Sequence, residues 1–248
     1  MRVLRHHAFS GETMPAPASL LSFDPLARRV GLVLGAVTVL VVGVFVAVVG
    51  LNKLTPVVTW RPLVDVGVEA NIPTWWNVAL LVLVATSAGA AAEISRAVDP
   101  RIRLAWWVVS GAATYLSIDE ASSLHERLAG PVNDLGVDLP TFAWVLPGFF
   151  VAAGGAIVLV IAGRRLPHPT GFRLGVALAC YGGAAVGIEA FNGWIRVRRY
   201  DSDVSDVYTF GTVVEESVEM GACAYAVATI VDAFRVRRTP TGIVVEPR

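Results

Sequence analysis

The stretch VGLVLGAVTVLVVGVFVAVVGL, residues 30–51, contains neither a charged residue nor a proline. A helix rises about 1.5 Å per residue, so about 20 apolar residues cross the hydrocarbon of a bilayer. The run meets that length. It is too long for the apolar core of a signal peptide and lacks a small-residue cleavage site, so it reads as a retained first transmembrane helix. Working outward, five further apolar stretches follow, from about Trp75 to Ala92, Leu104 to about His125, Phe142 to Ala162, Phe172 to about Ile195, and Tyr208 to Phe234.

The expected fold class is all-α: a polytopic integral membrane protein, one bundle of about six transmembrane helices over residues 30–234, between an N-terminal tail 1–29 and a C-terminal tail 235–248. Composition agrees, with 55% hydrophobic and 16% charged residues and a mean hydropathy of +0.62, against about a quarter charged in soluble domains. A formal net charge of zero with no concentrated basic surface excludes nucleic acid as a partner. Membrane lipids are the expected surroundings. Oligomeric state is not readable from these residues. No internal repeat is evident. Cys180 and Cys223 lie in apolar stretches without C-x-x-C spacing and read as small packing residues.

Basic loops stay cytoplasmic. Arg2, Arg5, Arg28 and Arg29 precede the first stretch; Arg96, Arg101 and Arg103 link the second and third; Arg164, Arg165 and Arg173 link the fourth and fifth; Arg235, Arg237 and Arg238 follow the sixth. In the alternate loops Lys53 and Arg61 are offset by Asp65 and Glu69, Arg127 by Asp134 and Asp138, and Arg196, Arg198 and Arg199 by Asp201, Asp203 and Asp206. Both termini are therefore expected to be cytoplasmic. Lys53 is the sole lysine beside many arginines, the mark of a high-GC genome, and the expected location is the cytoplasmic membrane of a bacterium.

Three of the stretches carry acids. The third runs out through YLSIDEASSLHER, residues 115–127. At about 100° per residue Asp119, Ser122, Ser123 and Glu126 share one helical face, with Glu120 and His125 on its flanks. The fifth stacks Glu189, Asn192 and Arg196 along one stripe, and the sixth opens with Glu215, Glu216 and Glu219. With the orientation above, all three groups fall in the extracytoplasmic half. One ionised acid near the bilayer centre costs about 2.5–3.5 kcal/mol on insertion scales, so the set needs a bound cation, shared protons, pairing with Arg127 or Arg196, or a water-filled opening.

Carboxylates with a single imidazole suit a divalent metal ion, whether Fe, Mn, Ca, Mg or Zn, although the low histidine content disfavours a multi-histidine zinc site. Asp119, Glu126, Glu189, Glu215 and Glu219 are the expected metal ligands, and Glu120 and His125 the expected catalytic acid–base groups. Neither Glu-x-x-His nor His-x-x-x-His occurs, so the spacing of four-helix di-iron proteins is missing. The leading functional expectation is a metal-dependent membrane enzyme acting on a lipid or other apolar small molecule. A proton- or cation-coupled transporter and a non-catalytic assembly subunit are the alternatives. Glu93 is expected to pair with Arg96, and Asp232 with the Arg235 group. Tryptophans 75, 76, 106, 107, 144 and 194 lie near the ends of the stretches and read as interfacial anchors.

Overall fold

The computed structural model describes residues 23–54, 60–136, 139–198, 204–240 and 242–248. Arg2, Arg5, Asp138, Arg199, Asp201 and Asp203 lie outside them. The protein is mostly helical, at 80%. Its helices are α1 (Pro25–Leu54), α2 (Ile72–Ile94), α3 (Pro100–Ser122), the short α4 (Leu124–Arg127) and α5 (Ala129–Asp134), α6 (Val145–Gly163), α7 (Thr170–Gly182), α8 (Glu189–Arg198) and α9 (Val204–Asp232). A π-helical segment, Gly183–Ile188, joins α7 to α8 in one rod.

Local chemistry sets several ends. Asn71 caps α2 by accepting the Thr74 N–H at 3.1 Å, and Asp99 caps α3 by accepting the Arg101 N–H at 2.7 Å. Pro73 and Pro100 occupy the first turns, where no backbone donor is needed. The third apolar stretch, expected to stay helical to about His125, stops at Ser122. Ser123 takes the left-handed conformation, φ 48°, and directs its N–H back to the Asp119 carbonyl. The helical face proposed from Asp119 to Glu126 is thereby broken, because Glu126 belongs to the separate α4.

Four helical segments, Pro25–Leu51, Ile72–Ala97, Val145–Gly163 and Thr170–Val197, are long and apolar enough to cross a membrane. The other two long helices, α3 and α9, are the ones that carry clustered acids. Burial is inverted relative to a water-soluble domain. Leu32, Val33, Val39, Leu40, Phe150 and Ile157 are all more than 60% exposed, whereas Asn77, Asn192 and Thr229 are fully buried.

The central element is α9, which packs against α1, α2, α7 and α8. Its Ala222, Cys223, Ala224, Ala226 and Ala228 are buried, and small side chains let helix backbones approach closely. Between α2 and α3 the Ser110 hydroxyl donates to the Ala85 carbonyl at 2.8 Å. Trp76 ties α2 to α1 through Thr38 Oγ1 at 3.0 Å.

The C-terminal residues, read from sequence as a tail, form an antiparallel hairpin of β1 (Phe234–Thr239) and β2 (Gly242–Pro247). It closes one end of the bundle, where Arg173 reaches Asp232 at 2.7 Å and Arg248 bridges Asp232 and Asp24. Asp232 therefore pairs with Arg173 and Arg248 rather than with the Arg235 group. Glu93 likewise pairs with Arg103 at 2.8 Å rather than with Arg96. In both cases a partner on another element replaces the expected neighbour in sequence.

Candidate functional site

The opposite end of the bundle gathers the acids. The left-handed turn at Ser123 folds α4 back over the end of α3, so that Asp119 holds His125 twice. Its Oδ1 accepts the His125 backbone N–H at 2.8 Å, and its Oδ2 lies 3.1 Å from His125 Nδ1. Trp144 packs edge-on against the imidazole, with centroids 4.6 Å apart. A ring whose Nδ1 is engaged by a carboxylate presents Nε2 to a bound molecule, the arrangement of an oriented acid–base histidine.

The rod α7–α8 supplies Glu189 as the first residue after the π segment; such segments re-aim the side chains that follow them. Glu189 lines the same cavity as Trp144 and Glu215. Glu215 accepts from Asn192 Nδ2 at 3.0 Å. Asn192 is fully buried, and a Cβ at Gly211 would collide with its Oδ1, so the bare backbone there is what admits the amide. One turn along α9, Glu219 accepts from Asn77 Nδ2 at 3.5 Å.

Asp119, Glu120, His125, Glu126, Glu189, Glu215 and Glu219 all line one chamber of about 330 Å³, joined there by Glu69 and Glu216. Glu215 and Glu219 are each 6% exposed; Glu126 and Glu69 are exposed at its mouth. Among the described residues, His125 is the only basic side chain in the lining. Neither Arg127 nor Arg196 is ion-paired with these acids among the described residues; the Arg196 guanidinium instead lies over the Tyr208 ring, 5.2 Å from its centroid.

Outside the long helices two groups are shifted. Desolvation by the chamber wall, reinforced by the nearby Glu120 carboxyl, pushes Glu69 up to about 7. Burial works against a protonated His125, but the Asp119 carboxylate, with Glu126 and Glu69, outweighs it and holds the imidazole above its ordinary value. Among the described residues no three His, Cys, Asp or Glu side chains gather closely enough to hold a metal ion.

A second cavity of about 580 Å³, almost wholly apolar, lies between α3, α6, α7 and α9. It shares Ala112, Leu116, Leu159, Leu178 and Tyr181 with the chamber and ends at Arg164 and His168. Chamber and groove together follow the rod from Gly171 to Glu189, a length of about 27 Å at 1.5 Å per residue.

The sequence reading passed over Asn77, Glu69 and Tyr181. Asn77 had a usable signal, since it is a lone amide inside an apolar run and such a group needs a partner in lipid. Glu69 had none, because it lies in a loop between helices. Residues 32–234 match the model of a family described as a domain of unknown function, DUF8692, and the chain belongs to that family. No curated protein and no solved structure matches the chain.

Proposed function

We propose that this member of the DUF8692 family is a membrane-embedded enzyme that performs acid–base chemistry on the polar head of a lipid-like substrate. The observation that carries this reading is the continuity of the acidic chamber with the apolar groove. Water and ions need a polar lining along their whole path, whereas a hydrocarbon chain needs the opposite, and the groove supplies the opposite. The polar side chains in the groove half of the helices are turned to other uses. Thr86 donates to the Val82 carbonyl at 2.7 Å, Thr114 to the Ser110 carbonyl at 2.8 Å, and Ser110 to the Ala85 carbonyl across the helix pair. A transport path has little to run along there.

In this reading all six long helices span the membrane and both termini are cytoplasmic. Arg28, Arg29, Arg96, Arg101, Arg164 and Arg165 fall at the end of the bundle that also holds the hairpin, as cytoplasmic loops require. The chamber then opens at the outer leaflet of the cell membrane. His125, oriented by Asp119, removes a proton from water or a substrate hydroxyl. Glu120, across the chamber, returns one to the departing group. A positioned acid–base residue contributes about 10²–10⁴ in rate.

The test is comparative. Membrane lipids are profiled by mass spectrometry in cells lacking the protein and in cells complemented with the wild type or with His125→Ala. One lipid class is expected to accumulate in the deletion and the His125→Ala strain and to fall with the wild type. Identical profiles in all strains overturn the reading.

A metal-assisted form of the same reaction would draw its ligands from Asp119, Glu126, Glu189, Glu215 and Glu219, which share the chamber wall but would have to close on one point, since no three of them gather there among the described residues. Both Asp119 oxygens already engage His125, which makes Asp119 a positioning residue in the form favoured here. Elemental analysis of protein purified without chelator, beside Glu219→Ala, separates the two. Stoichiometric Fe, Mn, Ca, Mg or Zn lost in the variant establishes the metal form, and its absence leaves His125 alone.

A further inference from the structure

We propose that the substrate is a long-chain amine, an amphiphile whose protonated amino head sits among Glu189, Glu215 and Glu219 while its single hydrocarbon chain lies in the groove beyond Tyr181. This rests on the enzyme reading above and names the class of molecule that the site selects.

Charge gives the first argument. The chamber has eight carboxyl groups in its wall and one imidazole, with no Arg or Lys among its described lining residues. A phosphate or carboxylate head would be repelled by every ionised acid it met, whereas an ammonium complements them. The hydrogen-bond inventory gives the second. The Thr74 hydroxyl is given to the Val68 carbonyl and the Thr212 hydroxyl to the Tyr208 carbonyl, so neither threonine serves the acids. Behind the wall, fully buried Asn77 gives its nitrogen to Glu219 and leaves Oδ1 without a partner among the described residues. Asn77 does not itself line the chamber; the wall that does is rich in carboxyl acceptors and takes a head that brings its own N–H donors. Tyr115, Trp144, Tyr181 and Tyr208 add aromatic rings around the same volume, and the face of such a ring attracts a cation.

Shape gives the third. A small divalent ion needs several oxygens at one point, and no three acids provide that among the described residues. An ammonium is content with carboxylates spread around it. The groove joins the chamber at Leu178 and Tyr181 and stays apolar until Arg164 and His168, so it takes a chain attached to the head rather than a second polar group. A Cβ at Gly175 in the groove meets nothing within 4 Å, which marks open space that a larger side chain can fill without moving the backbone.

The experiment is a competition read by native mass spectrometry. Purified full-length protein in a nonionic detergent is offered equal amounts of hexadecylamine, hexadecanol and hexadecyl sulfate, without and then with millimolar Mg or Ca. The amine is expected to bind roughly tenfold over the alcohol, the equivalent of one good ion pair, with the sulfate excluded. The Glu189→Gln, Glu215→Gln double variant is expected to lose most of that preference while still binding both chains. Gly175→Trp is expected to weaken all heads alike, which shows that the chain uses the groove. Equal binding of alcohol or sulfate, a preference that survives the double variant, or displacement of the amine by Mg or Ca overturns the proposal. If the amine fails here while His125→Ala still changes the cellular lipids, the substrate class is wrong and the enzyme reading stands; if neither experiment responds, both fall.

Discussion

The two ends of this bundle treat buried charge in opposite ways. At the hairpin end Asp232 meets Arg173, whose side chain is 1% exposed, and Arg248 ties Asp232 to Asp24. Phe23 covers the Arg173 guanidinium at 4.4 Å. Asp24, Asp232 and Glu93 each have an arginine against them there. At the chamber end the acids meet one histidine and two asparagines. Paired charges hold helices together. Acids without a cationic partner are an unfinished arrangement that a ligand or a proton completes, and this is why a site is sought at one end and a fastening at the other.

The contrast can be broken or sharpened by substitution. The largest effect is expected from Arg173→Ala, which removes the buried partner of Asp232 and leaves it only the more exposed Arg248, and should cost about 3 kcal/mol, the lower end for a buried pair that loses one member. Thermal unfolding in detergent measures it. Glu215→Gln, which keeps size and hydrogen bonding, is expected to leave the midpoint unchanged or raise it. Equal losses in the two variants would erase the distinction between the ends.

A smaller effect is expected from Asp119→Asn. Loss of the carboxylate lowers the affinity of His125 for its proton, which Asp119 raises, so the rising limb of a pH–rate profile moves to lower pH while the maximal rate falls. A profile that drops without moving would assign Asp119 a merely structural part.

The smallest effect concerns Glu69. Its carboxyl binds a proton more tightly in the folded protein than the ordinary value of 4.5, at about 7. The folded state therefore holds more protons than the unfolded one between those values, and stability falls as pH rises across that window. Glu69→Gln should flatten that part of the stability curve and leave the region below pH 4.5 unchanged.

Much of this fold was legible in the sequence, because apolar length is a direct physical requirement of a bilayer. All six apolar stretches correspond to long helices, displaced by a few residues at their ends. Asp119, Glu189 and Glu219 stood out for the same reason, since acids inside apolar helices are rare, and all three line one chamber. What escaped was everything set by contacts between elements. Ser123 is not a residue type that announces a left-handed turn, yet that turn returns His125 to Asp119. The partners of Glu93 and Asp232 come from distant positions, where the reading favoured the nearest arginine in sequence. The groove was invisible because it is made of ordinary Leu, Val, Ala and Gly, distinguished only by the space between them.

The most direct measurement is native mass spectrometry of the protein as purified in mild detergent, beside Gly175→Trp. The account predicts a bound single-chain species on the wild type, carrying an amino group by fragmentation, and its loss from the variant. A wild-type protein of bare mass, or a bound lipid retained equally by Gly175→Trp, would contradict the claim that chamber and groove form one site.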